Sequence, residues 1–141
     1  MKRTLIILAT VGAACGTPGL AAAENWTEVA HSDKATLYID TQSISQKDGI
    51  KRAWEKWEYT EDRPAHYPIT RKYRSARFLN YFNCKEKSTA ELQAIYYDEA
   101  GEVIGKSTTD SKDVSFTYLA PGMLSEATLD FVCKTKSRSK P

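Results

Sequence analysis

A chain that keeps two cysteines, Cys84 and Cys133, after export can fold only into structures that bring those positions within bonding reach. Export is read from the N-terminus. Met1, Lys2 and Arg3 give a positive start, the stretch from Leu5 to Ala14 is apolar, and Ala21, Ala22 and Ala23 precede Glu24. That is the three-part pattern of a secretory signal peptide, with small residues at Ala21 and Ala23 fitting the peptidase pocket. The apolar run falls well short of the roughly 18 residues that spanning a bilayer needs. We therefore expect residues 1–23 to be removed by cleavage after Ala23, leaving a periplasmic or outer-surface-associated protein. Cys15 offers a second reading, as a lipid-modified first residue, but Gly12 stands where lipoprotein signals usually carry an aliphatic side chain. Membrane anchoring is expected only if Cys15 is lipidated.

Loss of the signal takes Cys15 with it, and an even pair in an oxidising compartment is normally bonded. The separation of 49 residues is too long for a metal knuckle or a redox Cys-x-x-Cys motif, so Cys84 and Cys133 are expected to form a structural disulfide. Closing a loop of that length stabilises a fold by about 4 kcal/mol on the chain-entropy account. The formal charge of +2 disappears with Lys2 and Arg3, leaving basic and acidic side chains balanced. Nothing in that balance points to nucleic acid. The mature length suits one domain with one core.

Several stretches alternate as strands do: Trp26 to Ala30, Ala35 to Asp40, Thr70 to Cys84, and most clearly Ser88 to Asp98, where Ala90, Leu92, Ala94 and Tyr96 alternate. Thr41 to Gly49 reads as a connection, with Lys47-Asp48-Gly49 as a turn signal, and Glu61 to Pro68 as a Pro-containing loop. Asp98 to Glu102 is expected to turn the chain through Gly101 so that Val103 to Thr109 pairs back. Val114, Phe116 and Tyr118 alternate again. A short helix is expected from Ser125, a candidate N-cap followed by Glu126, to about Lys134. Ile50 to Tyr59 fits two periods. Ile50, Ala53, Trp54 and Trp57 have helical spacing, whereas a strand would place Ala53, Trp57 and Tyr59 on one face and Trp54 on the other. The pattern predicts an α+β fold, an antiparallel meander with a C-terminal helix pinned to it through Cys133.

Trp26, Tyr38-Ile39-Asp40, Ser43-Ile44, Gly49 leading to Trp54, Asn83-Cys84, Tyr97 to Gly101, Pro121-Gly122, Glu126 and Cys133 occur in an order and spacing spread along the mature chain. In these residues the chain resembles the surface-adhesin protein E-like domain of exported bacterial proteins. The resemblance implies a single antiparallel sheet of about six strands with a C-terminal helix tethered across one face by the disulfide, and it favours a strand for Ile50 to Tyr59. Residues 24–134 are then expected to form the domain, and 135–141, where Lys136, Arg138 and Lys140 alternate with Thr and Ser, to form a basic, disordered tail. The resemblance also implies binding to host extracellular-matrix or serum proteins such as vitronectin, laminin and plasminogen. The alternative is a periplasmic structural or assembly protein that recognises bacterial envelope components.

No residue pattern points to catalysis, metal or a cofactor. His31 and His66 lie in different loop-flanked segments, and there is no glycine-rich phosphate loop or Gly-x-Ser-x-Gly turn. We therefore expect a non-enzymatic protein-binding module. Arg71, Lys72, Arg74 and Arg77 form the densest basic group, although strand alternation would divide them between faces. The seven residues Trp54, Trp57, Tyr59, Tyr73, Tyr81, Tyr96 and Tyr97 are more aromatic surface than a small core must bury. The candidate binding surface is accordingly Trp54, Trp57, Tyr59, Arg71, Lys72 and Arg74, with the sheet face opposite the helix as its expected location. Exposed strand edges or that face would also allow a homodimer. The sequon Asn25-Trp26-Thr27 adjoins the cut site and is read as chance.

Overall fold

The computed structural model describes residues 24–66 and 69–137. The signal segment, Cys15 and the last four residues of the basic tail lie outside the described residues. Eight strands form one antiparallel sheet: β1 (Trp26–His31), β2 (Ala35–Asp40), β3 (Ser45–Lys47), β4 (Ile50–Arg63), β5 (Tyr73–Asn83), β6 (Ser88–Tyr97), β7 (Val103–Thr108) and β8 (Thr117–Tyr118). Among the described residues one α-helix, α1 (Leu124–Lys134), follows them. The main path of the sheet has six strands in the order β1-β2-β4-β5-β6-β7, while β3 pairs with β4 and β8 with β6.

The ambiguous segment is a strand. β4 is paired along one edge with β2, Leu37 opposite Trp57 and Ile39 opposite Glu55, and along the other with β5, Ala53 opposite Asn80 and Trp57 opposite Ala76. Hydrogen bonding on both edges overrides the local helical spacing. The strand also runs further than the loop expected at Glu61, because β4 resumes pairing beyond a bulge with Arg63 opposite Tyr73. β5 correspondingly starts at Tyr73 instead of Thr70, which leaves Arg71 and Lys72 in the preceding loop. The connection after β2 contains a 3-10 turn, Thr41–Ser43, capped by the Asp40 carboxylate, which accepts from the Gln42 N–H at 3.0 Å. Asp48 and Gly49 then take φ of 51° and 81°, the left-handed pair that closes a two-residue hairpin and sets Lys47 opposite Ile50. Of Val114 to Tyr118, only Thr117 and Tyr118 form a strand.

Strand alternation divides the sheet into two faces. Lys51, Ala53, Glu55, Trp57 and Tyr59 of β4 share the side on which α1 lies, with Ala76, Phe78, Asn80 and Phe82 of β5 across from them. The core forms where Leu129 and Val132 of α1 meet Ile39, Ile44, Ala53 and Phe82, all essentially inaccessible to solvent. The helix begins two residues earlier than expected, cap for cap. Met123 occupies the N-cap with no side-chain hydrogen bond, so Ser125 is not the cap. Glu126 supplies the compensating charge, its carboxylate accepting the Gly122 N–H at 2.8 Å.

Two devices hold the other end of α1. Cys84, just past β5, is bonded to Cys133 in the last helical turn, with their Cα atoms 5.6 Å apart. Lys51, a residue only 8 % exposed, donates through its ammonium to the carbonyls of Val132 at 2.9 Å and Cys133 at 3.0 Å, and also to that of Thr135. A cation at a helix C-terminus satisfies carbonyls that have no partner within the helix and opposes the negative end of the dipole. Replacing Lys51 with methionine keeps the apolar stem and strips three acceptors of their donor. The expected loss is about 2 kcal/mol in urea denaturation, and a loss under about 0.5 kcal/mol would mean that water replaces the ammonium freely.

Candidate functional site

The face turned away from α1 carries an array of cations and aromatic rings. Tyr38 lies opposite Lys56, and Lys56 opposite Arg77, so adjacent strands present one lateral row. The Lys56 ammonium sits 4.2 Å from the Tyr38 ring centroid and 5.3 Å from that of Trp26. The Arg77 guanidinium lies 5.4 Å from the rings of both Trp26 and Tyr97. Each cation is also held by a carboxylate at 2.8 Å, Lys56 by Glu58 and Arg77 by Glu24. The Glu24 carboxyl is held below its ordinary value, first by the hydrogen bond from Trp26 and then by Arg77. Rings and charges packed this way keep their geometry without a partner, which reduces the ordering that binding would otherwise require.

The same face continues into a groove of about 590 Å³ between the β3–β4 hairpin and the segment before β8. Ile50, Arg52 and Tyr81 form its floor, and Phe116, 38 % exposed, stacks on Tyr81 with centroids 6.5 Å apart.

The helix side is different. Beyond the first turn of α1 a chain of rings takes over: Trp57 to Tyr59 at 5.9 Å, Tyr59 to Tyr73 at 5.6 Å, Tyr73 to Tyr96 at 5.1 Å and Tyr96 to Phe78 at 6.1 Å. These rings close over Ala76 and Ala94, which are fully buried. Burial, followed by the neighbouring Tyr73, raises the Tyr59 phenol well above its usual value. Glu55 lies between these rings and the helix. It is 4 % exposed, accepts one hydrogen bond from Asn80 Nδ2 at 2.8 Å, and is pushed by desolvation from 4.5 up to about 7.

The six residues of the sequence-derived surface therefore occupy three places. Trp54 projects from the helix-free face, opposite Leu79. Trp57 and Tyr59 belong to the helix side. Arg71 and Arg74 lie at the end of the sheet and are engaged by carboxylates, Arg71 by Asp98 at 2.6 Å and Arg74 by Asp62 at 3.0 Å, with Lys72 beside them. Trp26, Tyr38, Lys56 and Tyr97 were not singled out together by sequence reasoning. Their grouping depends on the register of strands distant in sequence. His31 is 74 % exposed in its side chain and pairs with Glu28, and His66 is exposed, so among the described residues neither enters a cleft.

Residues 26–134 match the family described as surface-adhesin protein E. No curated protein matches the chain by sequence. Among solved structures, Haemophilus influenzae protein E is similar at 16 % identity over 83 % of this chain and 89 % of that one, with a TM-score of 0.53. Its second crystal form gives a TM-score of 0.55 at 16 % identity, covering 83 % of this chain and 93 % of that one. Protein E from non-typeable Haemophilus influenzae gives 0.50 at 17 % identity, covering 83 % and 81 %. At such identities the likeness is one of fold, whereas the family match spans the domain from its first strand to its helix. This chain belongs to the surface-adhesin protein E family.

Proposed function

We propose that this protein is an exported, non-enzymatic binding module of the bacterial cell envelope that contacts a protein partner through its helix-free face. In this reading residues 1–23 are the signal peptide, residues 24–134 the binding domain, and the host partner a matrix or serum protein. The observation that carries it is the array of Trp26, Tyr38, Lys56, Arg77 and Tyr97 running toward the groove at Tyr81 and Phe116. Tryptophan, tyrosine and arginine are the residue types that most often dominate binding energy when set in an ordered patch, and here they are held in place before any partner arrives.

The test is capture of immobilised laminin, vitronectin or envelope extract by the purified mature chain. Trp26→Ala and Arg77→Ala are each expected to weaken capture by about tenfold or more. Trp54→Ala, on the same face, should weaken it, while Trp57→Ala, on the helix side, should not. Equal capture by wild type, Trp26→Ala and Arg77→Ala would remove this face as the contact surface. Protease treatment of intact cells separates the two partner classes, since removal of the protein implies a host-facing location and protection implies an envelope partner.

A further inference from the structure

A cavity of about 370 Å³ opens on the helix side of the sheet, beside the first turns of α1. Trp57, Tyr59 and Phe78 form its aromatic wall, and Glu55, Asn80 and Glu91 are brought to it from three adjacent strands. Its volume falls in the range of small-molecule sites, where aromatic walls and a few convergent polar groups are the usual construction.

Glu55 gives the cavity its chemical bias. Its carboxylate is almost wholly buried, and Oε1 makes no hydrogen bond although Oε2 accepts from Asn80. The Thr128 hydroxyl and the Trp57 indole N–H are the donors nearest the carboxyl, but neither reaches hydrogen-bond geometry with Oε1, and the Thr128 hydroxyl donates to the Ser125 carbonyl at 2.8 Å instead. Among the described residues, neither Glu55 nor Glu91 forms an ion pair, and no basic side chain lines the cavity. A buried carboxyl oxygen without a donor is costly, and evolution usually removes such a group or gives it a partner. The missing complement is a positively charged hydrogen-bond donor. A divalent metal fits poorly, because no group of three or more His, Cys, Asp or Glu side chains is gathered among the described residues. Aromatic faces beside carboxylates suit an organic cation instead, since the rings attract its charge without competing for its donors.

We propose that this cavity binds an organic cation, an ammonium or guanidinium group that pairs with the Glu55 carboxylate and rests its charge against Trp57 and Tyr59. The group is carried either by a free amine or by a lysine or arginine side chain of a protein. The site is independent of the helix-free face, so either assignment can fail without the other.

The experiment is a titration of the folded mature chain at pH 8, followed by backbone amide shifts. The probes are butylammonium, methylguanidinium and N-acetyl-lysine methylamide, with butanol and methylurea as neutral controls. Saturable shifts are expected around Glu55, Trp57, Asn80 and Glu91, with dissociation constants on the order of millimolar. Binding should be about tenfold weaker for the neutral controls and about tenfold weaker in Glu55→Gln, whose side chain keeps the size and the Asn80 contact. Glu91→Gln, at a more exposed position, provides a second variant should Glu55→Gln fold poorly, and it should also weaken the cations selectively. An extended lysine- or arginine-bearing peptide binding more tightly than the isolated lysine derivative identifies a protein side chain as the source, and equal affinity identifies a free amine. Neutral probes binding as well as cations, unchanged binding in the glutamine variant that folds, or no saturable shift with any cation would each overturn the proposal.

Discussion

Replacing both Cys84 and Cys133 with alanine is expected to lower the unfolding free energy by about 4 kcal/mol, a large fraction of what a domain of this size possesses. The bridge joins the end of β5 to the last turn of α1, so without it the unfolded chain regains the freedom of the whole intervening loop. An isolated helix of 11 residues has little stability of its own, and α1 would then rely on Leu129, Val132 and the Lys51 contacts to stay seated. Urea denaturation of the double variant, and of wild type under reducing conditions, should give the same reduced midpoint. A change of less than about 1 kcal/mol would show that packing alone positions the helix.

Glu55 produces the second large effect, a stability that falls as pH rises from about 4.5 to about 7. Its folded-state value of about 7 lies above the ordinary 4.5, so between those values the folded protein holds a proton that the unfolded chain releases. Stability from this group is therefore greatest below about pH 4.5 and declines toward pH 7, above which the full cost of a buried charge remains. That displacement corresponds to about 3 kcal/mol. The carboxyls paired with basic groups, such as Asp130 with Lys87 and Glu24 with Arg77, act in the opposite direction at acid pH, but both are exposed and contribute little. Glu91, the other carboxyl at the cavity, is raised by burial and adds to the Glu55 trend. Glu55→Gln should flatten the profile between pH 5 and pH 8 and make the protein more stable at the alkaline end. If wild type and variant show parallel profiles, Glu55 is hydrated in solution and the predicted trend is wrong.

Local alternation made most of the sheet legible, as Ala94 and Tyr96 share the helix side by a period of two, but a bulge at Leu92 breaks the alternation expected through β6 and sets Ala90 on the other face, opposite Tyr81. It failed where two periods coincided. Ile50, Ala53, Trp54 and Trp57 satisfy a helix and a strand equally, and the decision comes from β2 and β5, far away in sequence. The disulfide was legible because export and an even cysteine count left no other pairing. The basic group at Arg71 to Arg77 was harder to interpret, since each arginine is neutralised by a carboxylate from another segment: Asp98, Asp62 or Glu24. Glu55 looked like an ordinary strand charge. Only the crossing of α1 and the neighbouring rings takes it out of water, and no local pattern encodes that crossing.

The last element of the chain packs on the first. α1 lies against β1 and β2 as well as β4, and Leu129 and Val132 complete the core that begins with Ile39 and Ile44. A polypeptide delivered N-terminus first, whether from a ribosome or through a narrow pore, cannot seal this core until α1 is free. Any shorter fragment leaves Phe82 and its neighbours wetted and the strands uncovered on one side. Arrival of α1 is thus the step that lets the open sheet become a closed, dry interior.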